Sequence, residues 1–364
     1  MVTSLQAVRR HLGYTAAQVI DLLTRRANTL NLPIASKASL KTKLSRWENG
    51  KEQPSEIYQR LFREIYGRIN AELGFPDETE EDPETAELRL RLAVARTVDH
   101  GTVEVFRQQV DHVRHLDRRF GALTQLDLLR TQIDQVHQLL TFCAGPQRLA
   151  LAGVLVEAST LAGWQALDRA AVGQAWMHYE RAKAAAREAD SPALLAHATA
   201  EQAFVLIDLD EITAAVDQLA HARSVAKGTA TPLLGAWLAA AHGEALAAAG
   251  DADEARRAFD TAAGLLPADP IDAALPFLFL GDSHLDRWRG NALARVGAPD
   301  AIDQLTAALA RLPGDFVRAR TGLLVDLAHA HAAAGDRDAT LTYLRQARRL
   351  AAQIKSDRQQ RRLE

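Results

Sequence analysis

Four side chains between residues 284 and 295 share a spacing that suits an anion. His284, Arg287, Asn291 and Arg295 stand at i, i+3, i+7 and i+11, so on a helix they fall on one face. Two guanidiniums with an amide between them fit a carboxylate or a peptide backbone. The same residues could instead be solvated, or pair with Glu244 or Asp282. A second set lies near the start of the chain. Leu40, Leu44 and Trp47 stand at i, i+4 and i+7 and predict one buried helix face. At 100° per residue, Ala38, Lys41, Thr42, Ser45 and Arg46 point away from that face, and Lys43 sits toward its edge. Small, hydroxylic and cationic side chains suit a helix pressed into a DNA major groove, where acidic ones would be repelled by phosphate.

Other chemistry is missing. The chain has no Gly-rich phosphate loop, no CxxC pair, no HExxH and no nucleophile elbow, so nothing argues for an enzyme or a cofactor. His112 and His115 lie three apart, half of a metal site with no second pair nearby in sequence, so no metal is expected. His329 and His331 are two apart and diverge on a helix. Cys143 is the only cysteine, which forbids an internal disulfide and fits a reducing cytoplasm. It could sense redox state or simply fill a small apolar space. The start, MVTSLQAVRRHLG, has no apolar core of the signal-peptide kind. No run of about 18 uncharged apolar residues occurs, so no membrane span is expected.

These residues must be held by helices. Strand signals are nearly absent, and apolar residues recur at three and four almost throughout, predicting an all-α chain. Residues 1–75 form a head domain. Thr15 is a good N-cap for a helix through AAQVIDLLTRRANTL, with Val19, Leu22, Leu23 and Leu30 on its apolar stripe. Pro33 is expected to stop that helix, and NLPIASKAS makes a long connection to the next. Gly50 ends the Trp47 helix, and a further helix packs Ile57, Leu61, Phe62 and Ile65 as a lid. Residues 76–87, with two prolines and seven Asp or Glu, read as an acidic hinge. Residues 88–151 are helical without a fixed register. Residues 152–352 carry a repeat. The charged tail, 353–364, is expected to fray. Residues 1–74 hold 12 Lys and Arg against six Asp and Glu, a surplus of six positive charges, while the whole chain is at −3. A basic head on an acidic body is the asymmetry expected when only one domain meets phosphate.

Two resemblances follow from these segments. Leu44-Ser45-Arg46-Trp47-Glu48-Asn49-Gly50, followed by Pro54-Ser55, resembles the XRE-type helix-turn-helix family. That resemblance implies base-edge contacts from Lys41, Thr42 and Ser45, and phosphate contacts from Arg46 and Asn49, with Lys37 nearby. The connection before the helix is longer than that family's usual four residues. GEALAAAGDADEARRAFDTAAGLLP resembles the tetratricopeptide consensus, with Gly243, Ala255, Phe259, Ala262 and Pro267 at its small, small, aromatic, small and proline positions. The register recurs: Gly163, Ala203, Gly243, Gly290 and Ala328 on first helices, then Tyr179, Leu219, Phe259, Leu305 and Leu344 on second helices. A small residue lets the two helices of a hairpin approach, and the large one then fills the notch between repeats. Spacings of 40, 40, 46 and 39 exceed the standard 34, so extended turns are expected.

Together the segments resemble TPR-bearing XRE regulators of actinobacterial type, with an architecture similar to RRNPP peptide receptors. The resemblance implies a concave surface lined by Glu157, Thr160, Trp164, His197, Phe204, Trp237, Glu244, His284, Arg287, Asn291, Arg295 and His329. It implies a cytoplasmic, nucleoid-associated homodimer on double-stranded DNA, with an unknown small-molecule, peptide or protein effector. A tetratricopeptide adaptor whose helix-turn-helix does not read DNA is the alternative.

Overall fold

The computed structural model describes residues 4–76, 82–121, 126–272 and 274–364. The described residues are all-helical, and the chain divides into two compact units at 1–88 and 89–364.

The first unit is built from α1 (Ser4–His11), α2 (Ala16–Thr29), α3 (Lys37–Glu48), α4 (Glu56–Tyr66) and the short α5 (Asn70–Leu73). Thr15 and Gln18 cap α2 reciprocally: each accepts the other's backbone N–H, at 2.8 and 3.2 Å. The expected stop at Pro33 is corrected. The helix ends at Thr29, where Asn31 turns left-handed at φ 56° and Leu32 N–H donates back to the Ala27 carbonyl. The connection is also shorter than expected, residues 30–36, because Ser36 caps α3 and Lys37 is already helical. Ala35 N–H donates to the Tyr58 hydroxyl at 2.8 Å and pins this turn to α4. Leu40, Leu44 and Trp47 are buried, as their spacing predicts, against Val19, Leu23, Leu61 and Phe62. The lid is corrected in part: Tyr58 and Tyr66, not Ile57 and Ile65, take the fully buried positions, and left-handed Gly67 ends it before α5.

The expected hinge at 76–87 is described only in part. Residues 77–81 lie outside the described residues, but 83–87 open α6 (Pro83–Ala95). There follow α7 (His100–Phe120) and α8 (Leu126–Phe142), then five hairpins. These are α9 (Pro146–Asp168) with α10 (Val172–Glu188), α11 (Pro192–Asp208) with α12 (Ile212–Val225), and α13 (Pro232–Ala248) with α14 (Ala252–Leu265). The fourth pairs α15 (Asp282–Arg295) with α16 (Ala301–Arg311), and the fifth α17 (Val317–Ala333) with α18 (Arg337–Ile354). This is an α-solenoid of tetratricopeptide-like hairpins, running six residues further toward the N-terminus than the repeat pattern predicts.

The register is physical. A Cβ on Gly163 would lie 2.8 Å from the Tyr179 ring, one on Gly243 2.8 Å from Phe259, and one on Gly290 2.8 Å from Leu305. The large residue therefore covers the small one of its own hairpin, rather than only filling a notch between repeats. The forty-residue spacing comes from longer helices, 17 and 14 residues in α11 and α12, not from extended turns. One connection is long, that between α14 and α15, and it buries Leu275, Leu278 and Leu280. By composition α9 is apolar enough to cross a membrane, yet 72% of its most apolar stretch is buried in the body. Cys143 is a buried filler between α7, α8 and α9.

The tail does not fray. It forms α19 (Asp357–Arg361), which packs on both α9 and α17. Ser356 donates to buried Asp168 at 2.6 Å, Arg358 grips Asp208 with two bonds at 2.6 and 2.7 Å, and Arg362 reaches buried Asp326 at 2.6 Å. Those arginines have aspartates waiting for them, which an isolated reading of a charged tail cannot reveal. Helix α7 likewise packs on α9 and α17, so two elements join the first hairpin to the last across the concave side.

Candidate functional site

Two places gather the expected site residues. On the first unit, α3 exposes Lys41, Thr42, Ser45 and Arg46, with Lys43 half-buried and its ammonium 5.9 Å from the Trp47 ring. Its single acid, Glu48, turns inward and is buried. Arg9 of α1 holds that carboxylate through two hydrogen bonds, at 2.5 and 2.8 Å. The carboxylate at the end of α3 is thus neutralised and hidden from solvent. Lys37 pairs with Asp21 at 2.6 Å and Arg46 with Glu52 at 3.3 Å. Such exposed pairs stabilise little and exchange readily for another anion. The Asn49 amide donates to the Ser45 carbonyl at 2.6 Å as the C-cap of α3, so this donor is already taken. Lys41 has no ion-pair partner among the described residues.

The second place is a cavity of about 270 Å³ inside the repeat body. Of the ten side chains expected to bind an effector, Trp164, His197, Phe204, Trp237, Glu244, His284, Arg287, Asn291 and Arg295 line it, as do Glu157 and Thr160. His329 does not. It lies exposed near the end of α17, where the tail passes, and its Nε2 donates to the Arg362 carbonyl at 2.7 Å. Several wall residues have no repeat signature: Arg114, Asp117 and Arg118 from α7, Phe277 and Phe279 from the connection before α15, Trp288, and Arg358 and Arg362 from the tail. The run PFLF in a loop and the unexplained arginines of the tail were the only hints.

One wall is aromatic. His197 lies 4.8 Å from Trp237 and 4.4 Å from Phe277 between ring centres, Trp237 meets Trp288 edge-on at 5.6 Å, and Trp288 meets Phe204 at 6.1 Å. Burial, with Arg114 nearby, lowers His197 to about 3, so its imidazole is neutral. Burial also pushes Glu201 up to about 7, against the Tyr179 hydroxyl that donates to it at 3.3 Å.

The floor is a closed polar network. Asn291 donates to Asp326 at 2.6 Å, Arg295 to Asn291 at 3.3 Å, and Arg362 also holds Asp326. Across from it Arg318 bridges Asp117 at 2.6 Å and Asp168 at 3.4 Å, and Arg114 holds Glu157 at 3.1 Å. Burial still lifts Asp117 to about 6 and raises Glu157. The predicted clamp of two arginines around an amide is therefore corrected: Arg295 and Asn291 are occupied by each other and by Asp326. His112 and His115 each turn a ring nitrogen to a carbonyl of their own helix, at 2.9 Å.

No protein-family model matches the chain, and no curated protein is similar to it in sequence. Among solved structures it is similar to BtubC (BKLC) from P. vanneervenii, at 15% identity and a TM-score of 0.43, over 64% of this chain and 92% of that one. It is also similar to a Podosopora anserina protein described as a candidate kinesin light chain with nearly identical TPR-like repeats. There the identity is 15% and the TM-score 0.29, over 70% of this chain and 98% of that one. The likeness is one of helical-hairpin architecture, and no function is carried across it.

Proposed function

We propose that this chain is a sequence-specific DNA-binding transcription regulator of XRE type, whose repeat body senses an effector held in its cavity. The observation that carries the reading is the surface of α3: cationic and hydroxylic side chains face solvent, while its one acid is folded inward onto Arg9. Lys41, Thr42 and Ser45 are the groove-facing set, and Arg46 and Lys37 exchange their surface carboxylates for phosphate. The positive surplus of residues 1–74 supports the same reading. One recognition helix reads too few base pairs for a genome, so the protein acts as a homodimer on a pseudo-palindromic site on the nucleoid, in the cytoplasm. Effector binding in the body shifts DNA affinity.

The test is to capture fragments of the source genome on the purified full-length chain and sequence them. A shared, roughly palindromic motif is expected. Lys41→Ala should weaken binding to that motif by about tenfold, in keeping with ~1–3 kcal/mol for a base-edge contact. Random fragments, or a Lys41→Ala and Arg46→Ala pair that binds with unchanged affinity and salt dependence, would overturn the groove assignment.

A further inference from the structure

Most polar groups of the cavity are paired; the buried wall atoms without a hydrogen-bond partner belong to Arg287, Arg318, His197 and Asp168, and of these Arg318 and Asp168 still share an ion pair. Among the described residues, no hydrogen bond or ion pair engages the guanidinium of Arg287, and its buried Nε has no acceptor. Arg118, half-buried, stands at the same corner. Its guanidinium carbon lies 3.4 Å over the Phe279 ring and 5.7 Å from Phe316, with no carboxylate bonded to it. His284 lies 4.9 Å from Phe316, and both arginines act on its ring electrostatically. Burial, followed by these two charges, holds His284 at about 3, so it is a neutral donor or acceptor between two cations.

Buried cations without partners are costly, and proteins keep them where an anion arrives. Glu244 and Asp326 offset part of the charge of Arg287 electrostatically, and Asp111, Asp117 and Asp315 part of that of Arg118, without bonding to either guanidinium. That residual negative field favours a singly charged group over a doubly charged phosphate. The guanidinium fork matches a carboxylate in shape. Beyond this corner the aromatic wall of Trp237, Trp288 and Phe204 offers flat apolar faces. The volume of about 270 Å³ lies at the small end of ligand pockets, ~300–1,000 Å³. Residues of α7 and α19 form part of the cavity wall, which shortens the space for an extended peptide.

We infer that the cavity binds a small aromatic or flat apolar carboxylic acid, its carboxylate held by Arg287 and Arg118 beside His284 and its body on Trp237 and Trp288. This assignment rests on the reading of the repeat body as the sensor. It is independent of whether α3 reads DNA.

The test uses the full chain without DNA. Benzoate, cinnamate, 2-naphthoate and indole-3-acetate are each titrated by calorimetry beside their own primary amides. At least one acid should bind, with its amide at least tenfold weaker. Arg287→Met should lose at least tenfold for the acid and little for the amide, and Arg287→Lys should regain part of the loss. The acid–amide comparison on the native protein stands even if Arg287→Met fails to fold. No binding of any acid at millimolar concentration, or acids and amides binding alike, would overturn the assignment. An acid that binds without changing affinity for a captured DNA motif would leave the pocket standing and remove its role as a DNA switch.

Discussion

Burial acts in opposite directions on the two kinds of titratable side chain around the cavity, and the signs are testable one residue at a time. Glu201 is held at about 7 by burial, against an ordinary value of 4.5. The folded protein therefore keeps a proton that the unfolded chain releases between those values. The associated stability is complete below pH 4.5 and is lost as pH rises through 7. At ~1.4 kcal/mol per unit the effect reaches ~3 kcal/mol. Glu201→Gln removes this titration. Its unfolding midpoint should gain on the native protein as pH rises from 5 to 8, measured by thermal melting at each pH. A gap that stays constant would mean that Glu201 is ionised when folded. His197 and His284 have the opposite sign: each is lowered to about 3 by burial, so the folded state loses stability as pH falls below 6.5.

Among the elements, the hairpins depend on helices that approach until nothing larger than hydrogen fits. Gly243→Ala would put a methyl 2.8 Å from the Phe259 ring, inside a core with both rows of helices committed. Overpacking of this kind costs ~1–3 kcal/mol. Gly153, in the middle of α9, has open space where its Cβ would go. Gly153→Ala should therefore stabilise, since Ala exceeds Gly in helix propensity by ~0.8–1 kcal/mol. Equilibrium urea unfolding of the two variants should move in opposite directions. Equal shifts would show that propensity, not close approach, explains the glycines. The small-and-large register was legible in sequence because it repeats. The end of α2 was not: a left-handed Asn31 stops a helix as well as a proline does, yet asparagine marks no boundary by itself.

At the scale of the whole molecule, the tail ties distant hairpins of the repeat array together. Ser356, Arg358 and Arg362 bond Asp168, Asp208 and Asp326, and two of those aspartates are buried. Deleting residues 356–364 would leave Asp168 and Asp326 short of a partner each. Removing one partner of a buried pair typically costs ~3–5 kcal/mol, and Asp168 keeps Arg318, so the loss should fall toward the low end of that range. Hydrogen exchange on the truncated chain should show α9 and α17 deprotected while α2 and α3 are unchanged. Unaltered protection of α9 and α17 would show that the tail only decorates the surface.

Sequence alone determined the all-helical class, the inner and outer faces of α3, the hairpin register and the convergence of nine side chains on one face of the repeats, where they line a cavity. All of these depend on spacing along one helix or on a pattern repeated down the chain, and helical geometry converts spacing into position. Only the tertiary structure decided that Glu48 is neutralised by Arg9, that α7 and the tail each pack on both α9 and α17, and that Asn291 and Arg295 are engaged while the Nε of Arg287 is not. Apart from the Arg295–Asn291 bond, one helical turn long, these interactions join residues at least 35 positions apart, and no local period records which distant charge a side chain will meet.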